Sequence, residues 1–404
     1  MFRLSFRYLS CCLLYGIVAI SIANAQGLMI GGTAPDFELP GVDDETYTLE
    51  SFEDADVLVV VFTCNHCPTS RLYEDRIKQL VLDFADQNVA LVAISPNDNA
   101  GLRLDEMGMT DVDDSFESMK IRAEDAAFNF PYLYAGDQQD IVRAYGATAT
   151  PDCFVFDSQR ELRYRGRFDD SAEPERIFSH DLRNAVEAIL GGNPVPLDWT
   201  RPFGCSVKWS DKSSTVEEAA NRYAEEPVRL DAISTDVVPT LLDNRSRTYR
   251  MIHFWSSENE NAADQLDELI DAERMYRRHP ILFITINMDG ADEQESLLEL
   301  LTEHQASCIN LILDDETSDE AEDESESTEA AAVEEESEGE NDTAEETAEE
   351  ETPLPFPACV DEEWDGEQPL TILIAPDGEI VWRSLGDFER LELRRAVLHE
   401  FDLY

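Results

Sequence analysis

Basic residues are scarce in this sequence, and long apolar runs are missing after the N-terminus. Its 404 residues include 30 Lys and Arg against 88 Asp and Glu, and the formal net charge is −58. This charge would repel phosphate groups, so we expect no nucleic-acid partner and no binding to anionic membrane surfaces. No later segment approaches the roughly 20 apolar residues that a membrane-spanning helix needs, so we expect no membrane span in the mature chain.

Residues 1–25 have the pattern of a secretory signal peptide. Arg3 and Arg7 provide a positive start, residues 9–22 form a short apolar run, and Ala23-Asn24-Ala25 ends it with small residues at the spacing that signal peptidase requires. We predict cleavage after Ala25, and an uncleaved membrane anchor is the alternative. The mature protein would then be periplasmic or otherwise exported, where its cysteines meet an oxidising environment.

Strand-like and helix-like segments alternate along the rest of the chain, which predicts an α/β fold. The run Val57–Phe62 is apolar and rich in β-branched residues, as is typical of a strand buried on both faces. A helical pattern follows it, and the same order recurs from Met251 onward. We predict two domains, residues 27–211 and residues 213–404.

An acidic segment, residues 314–352, interrupts the second domain. From Asp314 to Glu351 it holds 21 acidic residues and no Lys or Arg. It also lacks apolar periodicity, so we predict a disordered insertion. Cys308 and Cys359 flank it and are candidates for a structural disulfide, which would close a loop of about 50 residues and stabilise the fold by about 4 kcal/mol. Two unrelated buried thiols are the alternative.

Two cysteines separated by two residues follow the Val57–Phe62 strand, in the order Cys64-Asn65-His66-Cys67. At the start of a helix, Cys64 would meet unpaired N–H groups and the positive end of the helix dipole, and both lower the pKa of a thiol. We therefore predict that Cys64 is the exposed attacking thiol and that Cys67 closes the disulfide. A protonated His66 would add a positive charge, and a solvated surface histidine is the alternative.

Two other interpretations of the cysteine pair stay open. A zinc site normally uses a second close pair of ligands, which the sequence does not provide, so we expect no metal. A structural disulfide without redox activity is also compatible with a spacer of two residues.

Six segments of the first domain share their pattern with one known family: Val61-Phe62-Thr63-Cys64-Asn65-His66-Cys67-Pro68, Ser95-Pro96-Asn97-Asp98, Ala144-Tyr145-Gly146-Ala147, Thr150-Pro151, Tyr164-Arg165-Gly166 with Asp169-Asp170, and Gly204-Cys205-Ser206-Val207-Lys208-Trp209. With them, residues 31–209 resemble the thioredoxin-like redoxin family, especially proteins similar to alkyl hydroperoxide reductase and thiol-specific antioxidant. The resemblance implies a thioredoxin-like fold, a central mixed sheet flanked by helices, with Cys64 and Cys67 as the redox pair. It also implies a cis peptide bond before Pro151, with Thr150 and Asn65 as candidate substrate-binding residues. An ordinary trans turn at Pro151 is the alternative.

The sequence departs from the family at two places. Cys153 stands where the family usually has an apolar residue, and it is a third exchanging thiol, a partner for Cys205, or a small buried hydrophobe. The P-x-x-x-T-x-x-C pocket of peroxiredoxins is missing, because Thr63 directly precedes Cys64. This argues against peroxidase activity, although a thiol-dependent peroxidase stays an alternative.

The second domain resembles the same fold in a degenerate form. Phe254-Trp255-Ser256-Ser257 resembles the strand end that leads into the cysteines, but no Cys follows it in residues 258–262. Pro369 occupies the place of the cis-proline. Without thiols at this site, the second domain would bind a partner or support the first domain.

The sequence therefore predicts a thiol–disulfide oxidoreductase that acts on protein thiols or disulfides through a mixed disulfide on Cys64, without a cofactor. An unidentified redox partner would recycle the pair, and the direction of the reaction stays open. Because His precedes the second cysteine, as in disulfide isomerases and periplasmic oxidants, we expect a potential clearly less reducing than the roughly −270 mV of thioredoxin. The alternatives are a non-catalytic interaction protein with a structural disulfide and a copper-delivery protein, for which no downstream His matches convincingly.

Overall fold

The computed structural model describes residues 27–314, 356–360 and 364–402. The predicted signal peptide, residues 1–25, lies outside these ranges, and so do residues 315–352 of the predicted acidic insertion. Within these ranges, no helix is both long enough and apolar enough to cross a membrane.

The first half of the chain is built from short strands and four-turn or shorter helices. Its strands are β1 (Glu38–Pro40), β2 (Thr46–Thr48), β3 (Val57–Phe62), β4 (Val89–Ser95), β5 (Tyr132–Tyr134), β6 (Ala149–Thr150), β7 (Asp152–Phe156), β8 (Leu162–Gly166) and β9 (Cys205–Ser206). Its α-helices are α1 (Pro68–Asp83), α2 (Phe116–Asp125), α3 (Gln139–Tyr145) and α4 (Asp181–Leu190).

The central sheet of this half has the strand order β5-β4-β3-β7-β8. β3, β4 and β5 are parallel, whereas β7 and β8 are antiparallel to their neighbours. Alternate side chains of β3 enter two separate core clusters, one on each face, which explains why its sequence is apolar without interruption. This is the mixed, helix-flanked sheet of a thioredoxin-like fold, and it confirms the predicted fold class for the first domain.

The second half has a sheet of its own. Its strands are β10 (Asp231–Ile233), β11 (Tyr249–Trp255), β12 (Ile281–Asn287), β13 (Ile309–Leu313), β14 (Leu370–Ile374) and β15 (Ile380–Leu385). Its α-helices are α5 (Ser213–Ala224), α6 (Val238–Leu242), α7 (Ala262–Tyr276), α8 (Gln294–Glu303) and α9 (Arg390–Glu400).

The strand order of the second sheet is β10-β13-β12-β11-β14-β15. Apart from the edge strand β10, the order and the strand directions follow those of the first sheet. The peptide bond before Pro369 is cis. These observations favour a tandem copy of the fold, which stays a prediction.

Residues 96–114, between β4 and α2, connect the two halves and are called the bridging loop below. Leu102 and Met107 of this loop are buried in the core cluster of the second half, together with side chains of α7 and β11. Asp111 pairs with Arg395 of α9, with 3.0 Å between carboxylate and guanidinium. The bridging loop therefore contributes to the core of the second half.

The disulfide predicted between Cys308 and Cys359 is not formed in this structure, where both thiols are free. Cys308 packs against the cluster on one face of the second sheet, and Cys359 packs against the cluster on the other face. The two thiols thus pack on opposite faces of the second sheet, an arrangement that does not favour the predicted disulfide.

Candidate active site

The cysteine pair lies where β3 ends and α1 begins. Helix α1 starts at Pro68, so its N-cap residue is Cys67, whereas Cys64 lies in the preceding loop. The free N–H groups and the positive end of the helix dipole therefore act on Cys67. The sequence pattern predicts Cys64 at this position, and the structure places Cys67 there instead, three residues later.

Both cysteines of the pair are buried, which contradicts the expectation of an exposed Cys64. Cys64 exposes 2% of its surface and Cys67 exposes 0%. Thr150 contacts both sulfurs and Cys205 contacts that of Cys67, while Asp113 and Asp114 of the bridging loop bond to the segment between the two cysteines. Cys64 is the member of the pair that keeps a small contact with solvent.

The two thiols are in hydrogen-bond contact and differ in their pKa. The thiols of Cys205 and Cys64 and the backbone N–H of Ser70 lower the pKa of Cys67, although burial opposes them. Burial, the hydrogen bond to Cys67 and the charge of Asp114 raise the pKa of Cys64 well above its usual value. Of the two thiols, Cys67 is therefore the one whose surroundings favour the thiolate.

His66 lies beside this pair in a buried ion pair. Its Nδ1 atom is 2.5 Å from Asp114 Oδ2 and 3.5 Å from Cys64 Sγ. Burial favours the neutral ring, but the carboxylate of Asp114 outweighs burial and raises the pKa of His66. The ring is 1% exposed, so the alternative of a solvated surface histidine is wrong. A positive imidazolium here stabilises a thiolate on either cysteine.

Asp114 holds the loop between the cysteines in place, and the sequence analysis missed it. Its Oδ1 atom accepts the backbone N–H groups of Asn65 and His66 at 2.9 and 3.0 Å. Asn97 Nδ2 donates to its Oδ2 atom at 2.7 Å. Residues 111–114 form an acidic loop without periodicity, so no local pattern distinguishes Asp114 from its neighbours. Only the Ser95-Pro96-Asn97-Asp98 segment pointed to this region.

Thr150 contacts both sulfurs of the pair. Its Oγ1 atom is 3.2 Å from Cys64 Sγ, and a protonated Cys67 donates to its carbonyl oxygen at 3.2 Å. The bond between Thr150 and Pro151 is cis, as the resemblance implies. However, β6 pairs with β9, and Thr150 lies opposite Cys205. Strand β9 thus occupies the backbone edge expected for a substrate, which corrects the assignment of Thr150 as a substrate-binding residue.

Asn65 is not available to a substrate either. Its Nδ2 atom donates to the carbonyl oxygen of Asp113 at 2.7 Å, and its Oδ1 atom accepts from the Tyr132 hydroxyl at 3.1 Å. The residue is 2% exposed. Its polar atoms serve the loop itself, so the assignment of Asn65 to substrate binding is corrected as well.

The other two thiols of this half have different surroundings. Cys153 is fully buried in the core cluster beneath β3, opposite Val61, and burial raises its pKa. It is therefore the small buried hydrophobe among the three alternatives. Cys205 instead lies against the redox pair, and its backbone N–H donates to Cys67 Sγ at 3.3 Å.

Cys64, His66 and Asp114 bring one sulfur, one nitrogen and one oxygen within 4.8 Å of one another. Such a set resembles the ligands of a metal ion. Two ligands of a tetrahedral zinc ion, with bonds of about 2.0 Å, lie about 3.2 Å apart. The 2.5 Å between His66 Nδ1 and Asp114 Oδ2 is instead a hydrogen-bond distance, so the arrangement is that of a hydrogen-bonded pair.

Comparison with known proteins gives a family match in the first half. The model of the AhpC/TSA family matches residues 30–165, which include the cysteine pair and Pro151. No curated protein matches the chain.

Several solved structures are similar to the first half. The crystal structure of a hypothetical protein from Sinorhizobium meliloti is 33% identical, covers 46% of this chain and 96% of its own, and has a TM-score of 0.40. An uncharacterised conserved protein from Geobacillus kaustophilus is 35% identical over 45% of this chain and 93% of its own, with a TM-score of 0.40. A thiol:disulfide interchange protein of the thioredoxin family from Chlorobium tepidum is 19% identical over 42% of this chain and 100% of its own, with a TM-score of 0.31.

Proposed function

We propose that this chain, which belongs to the AhpC/TSA family through residues 30–165, is a thiol–disulfide oxidoreductase. The observation that carries the proposal is the geometry at the N-terminus of α1, where Cys67 is the N-cap residue and His66 Nδ1 is 3.5 Å from Cys64 Sγ and 2.5 Å from Asp114 Oδ2. A structural disulfide needs neither a stabilised thiolate nor a charged histidine. Redox-active pairs need both sulfurs close and one of them ionised.

The reaction begins with Cys64, because it is the member of the pair that solvent touches. As Cys64 attacks a disulfide of a substrate protein, its proton passes to Cys67 through the hydrogen bond between them. One substrate sulfur becomes bonded to Cys64, and the other leaves as a thiolate. Cys67 gives this proton to the departing substrate thiolate and then attacks Cys64 Sγ, which breaks the bond to the second substrate sulfur and forms the Cys64–Cys67 disulfide. The second substrate sulfur leaves as a thiolate and takes up a proton from solvent. The substrate disulfide is reduced to two thiols, and the pair is oxidised.

His66 and Asp114 support both steps. The imidazolium stabilises the thiolate that attacks, because its Nδ1 atom is 3.5 Å from Cys64 Sγ. Asp114 holds the ring in place and keeps it charged. Because stabilising the thiolate favours the reduced form, the potential should be less reducing than that of thioredoxin.

The proposed setting is outside the cytoplasm, since residues 1–25 have the pattern of a signal peptide. The proposed partners are protein thiols and disulfides together with a separate redox protein that recycles the pair. The excess of acidic residues supports a partner without phosphate groups.

The Cys67→Ala variant tests this function, because it removes the thiol that resolves the mixed disulfide. Incubated with insulin as a disulfide substrate, the variant should form an adduct that dithiothreitol releases and that peptide mapping assigns to Cys64. Steady-state insulin reduction should fall about 100-fold or more relative to the wild type. Cys359→Ala, a change in the second half, is the control and should keep full activity.

If the wild-type protein neither reduces nor oxidises any dithiol substrate at neutral pH, the proposal is wrong and the interaction-protein alternative replaces it. An insulin adduct on a cysteine other than Cys64 would contradict the assigned order of attack.

A further inference from the structure

A third sulfur lies beside the redox pair. The thiols of Cys205 and Cys67 are hydrogen-bond partners, and the Cys205 backbone N–H also donates to Cys67 Sγ at 3.3 Å. Cys67 therefore contacts one thiol on each side, Cys64 and Cys205. Once the pair is oxidised, Cys67 Sγ in this central position is within reach of a sulfur on either side.

The backbone around Cys205 is built for this close approach. In the β6–β9 ladder, Cys205 is opposite Thr150, whose carbonyl oxygen contacts Cys67. Gly204 has a φ of +141°, and a Cβ atom at this position would be 1.9 Å from the Thr150 carbonyl oxygen. Only a glycine permits β9 to approach this closely, so the contact between Cys205 and Cys67 is fixed by the strand pairing.

The three sulfurs differ in their access to solvent. Cys64 and Cys67 are buried, whereas Cys205 is partly exposed. A disulfide between Cys64 and Cys67 offers a reductant only the small exposed part of Cys64. A disulfide that ends at Cys205 presents one of its sulfurs at the surface.

We propose that Cys205 is a third exchanging thiol, which carries the disulfide from the buried pair to the surface for re-reduction. This inference rests on the proposed function, because it takes the Cys64–Cys67 disulfide as its starting point.

The exchange needs no external oxidant. The Cys205 thiolate attacks Cys67 Sγ, so the Cys67–Cys205 bond forms, the Cys64–Cys67 bond breaks and Cys64 leaves as a thiolate that takes up the proton lost by Cys205. A dithiol reductant then attacks the exposed sulfur of Cys205, and Cys67 leaves. The second thiol of the reductant completes the reduction, so the reductant becomes a disulfide and the protein has three free thiols.

The first experiment asks whether the second disulfide forms in the full-length Cys64→Ser variant. After mild treatment with oxidised glutathione and acid quenching, tryptic mapping should link the peptide that ends at Arg71 to the peptide that ends at Lys208. Recovery of Cys67 and Cys205 as free or glutathionylated thiols, without the link, would overturn the inference.

The second experiment uses Cys205→Ser, with Cys359→Ser as a matched change of a partly exposed cysteine. The reduced Cys205→Ser protein should still complete a single turnover with insulin, and this single-turnover rate is the reference for its own steady-state rate. Steady-state turnover with dithiothreitol as the reductant should fall about tenfold, because the buried disulfide is recycled slowly. The Cys359→Ser protein should match the wild type in both assays.

The two assays test the role of Cys205 and the proposed oxidoreductase function separately. If the wild-type protein shows no single-turnover reduction of insulin, the proposed function is rejected. Normal single-turnover and normal steady-state rates in Cys205→Ser would reject only the role of Cys205.

Discussion

At the residue scale, Asp114 fixes the position of the segment between Cys64 and Cys67 and keeps the His66 ring charged. It accepts hydrogen bonds from the backbone of Asn65 and His66, from the His66 ring and from Asn97. Hydrogen bonds to a charged group typically contribute about 1.5–3 kcal/mol each. One buried carboxylate therefore dominates the electrostatics of the segment between the cysteines.

Asp114→Asn should lower the pKa of His66 below its ordinary value, because burial then acts without the opposing carboxylate. The Cys64–Cys67 potential should also become more negative, with about 30 mV for each tenfold change in the exchange equilibrium. NMR titration of the histidine rings and a glutathione redox titration measure these changes. The control is Asp113→Asn, since that side chain bonds to Ser115 rather than to His66.

The His66–Asp114 pair makes the free energy of unfolding depend on pH. The sign of this dependence follows from the raised pKa of His66. The pKa of His66 is raised in the folded state, so its contribution is fully present below the unfolded pKa of about 6.5 and is lost as the pH rises through the raised value. When urea unfolding is measured between pH 6 and pH 9, the Asp114→Asn variant should not show this loss of stability. An unchanged His66 titration in this variant would contradict the role of the ion pair.

At the element scale, β9 is a two-residue strand that determines the surroundings of Cys67. Gly204→Ala should displace this strand, because the new Cβ atom would collide with the Thr150 carbonyl oxygen. We expect a loss of several kcal/mol in unfolding free energy, more than the roughly 1–2 kcal/mol of backbone strain alone. The matched control is Gly192→Ala, which has a φ of +65° but no atom within 4 Å of the new Cβ. Equal losses in the two variants would contradict the close-approach argument.

Strands and helices with a long apolar or periodic pattern can be predicted from this sequence, whereas elements of two or three residues cannot. Strand β3 was predicted because its apolar run matches burial on both faces. The start of α1 was misplaced, although Pro68 carries a usable signal, since proline favours the first position of a helix. Strand β9 is too short for any periodicity, so its contact with β6 appears only in three dimensions. For the same reason the occupied edge at Thr150 was not foreseen.

At the scale of the whole molecule, the bridging loop couples the redox site to the second half. Asp114 at its end bonds to His66, while Leu102 and Met107 within it are buried against α7 and its neighbours. The sequence predicts a second domain that binds a partner or supports the first domain, but it contains no signal for this contact. Two isolated apolar residues in a polar loop do not indicate which core they enter.

Met107→Ala should loosen the bridging loop and expose the cysteines. A buried methionine replaced by alanine typically costs about 2–5 kcal/mol, and the weakened loop should also let iodoacetamide label Cys64 faster. Met119→Ala is the matched control, because Met119 is equally buried but lies in the core of the first half. Both variants should lose stability, and only Met107→Ala should speed the labelling. Equal labelling rates at matched stability would show that the second half does not protect the site.

The pairing of β9 with β6 also has a consequence for how partners are recognised. An open strand edge binds extended peptides of many sequences through main-chain hydrogen bonds. Here that edge is closed by the chain's own Cys205–Ser206 segment. Affinity must then come from side chains and from the shape of a folded surface, so we expect this protein to discriminate between client proteins and to ignore unfolded chains.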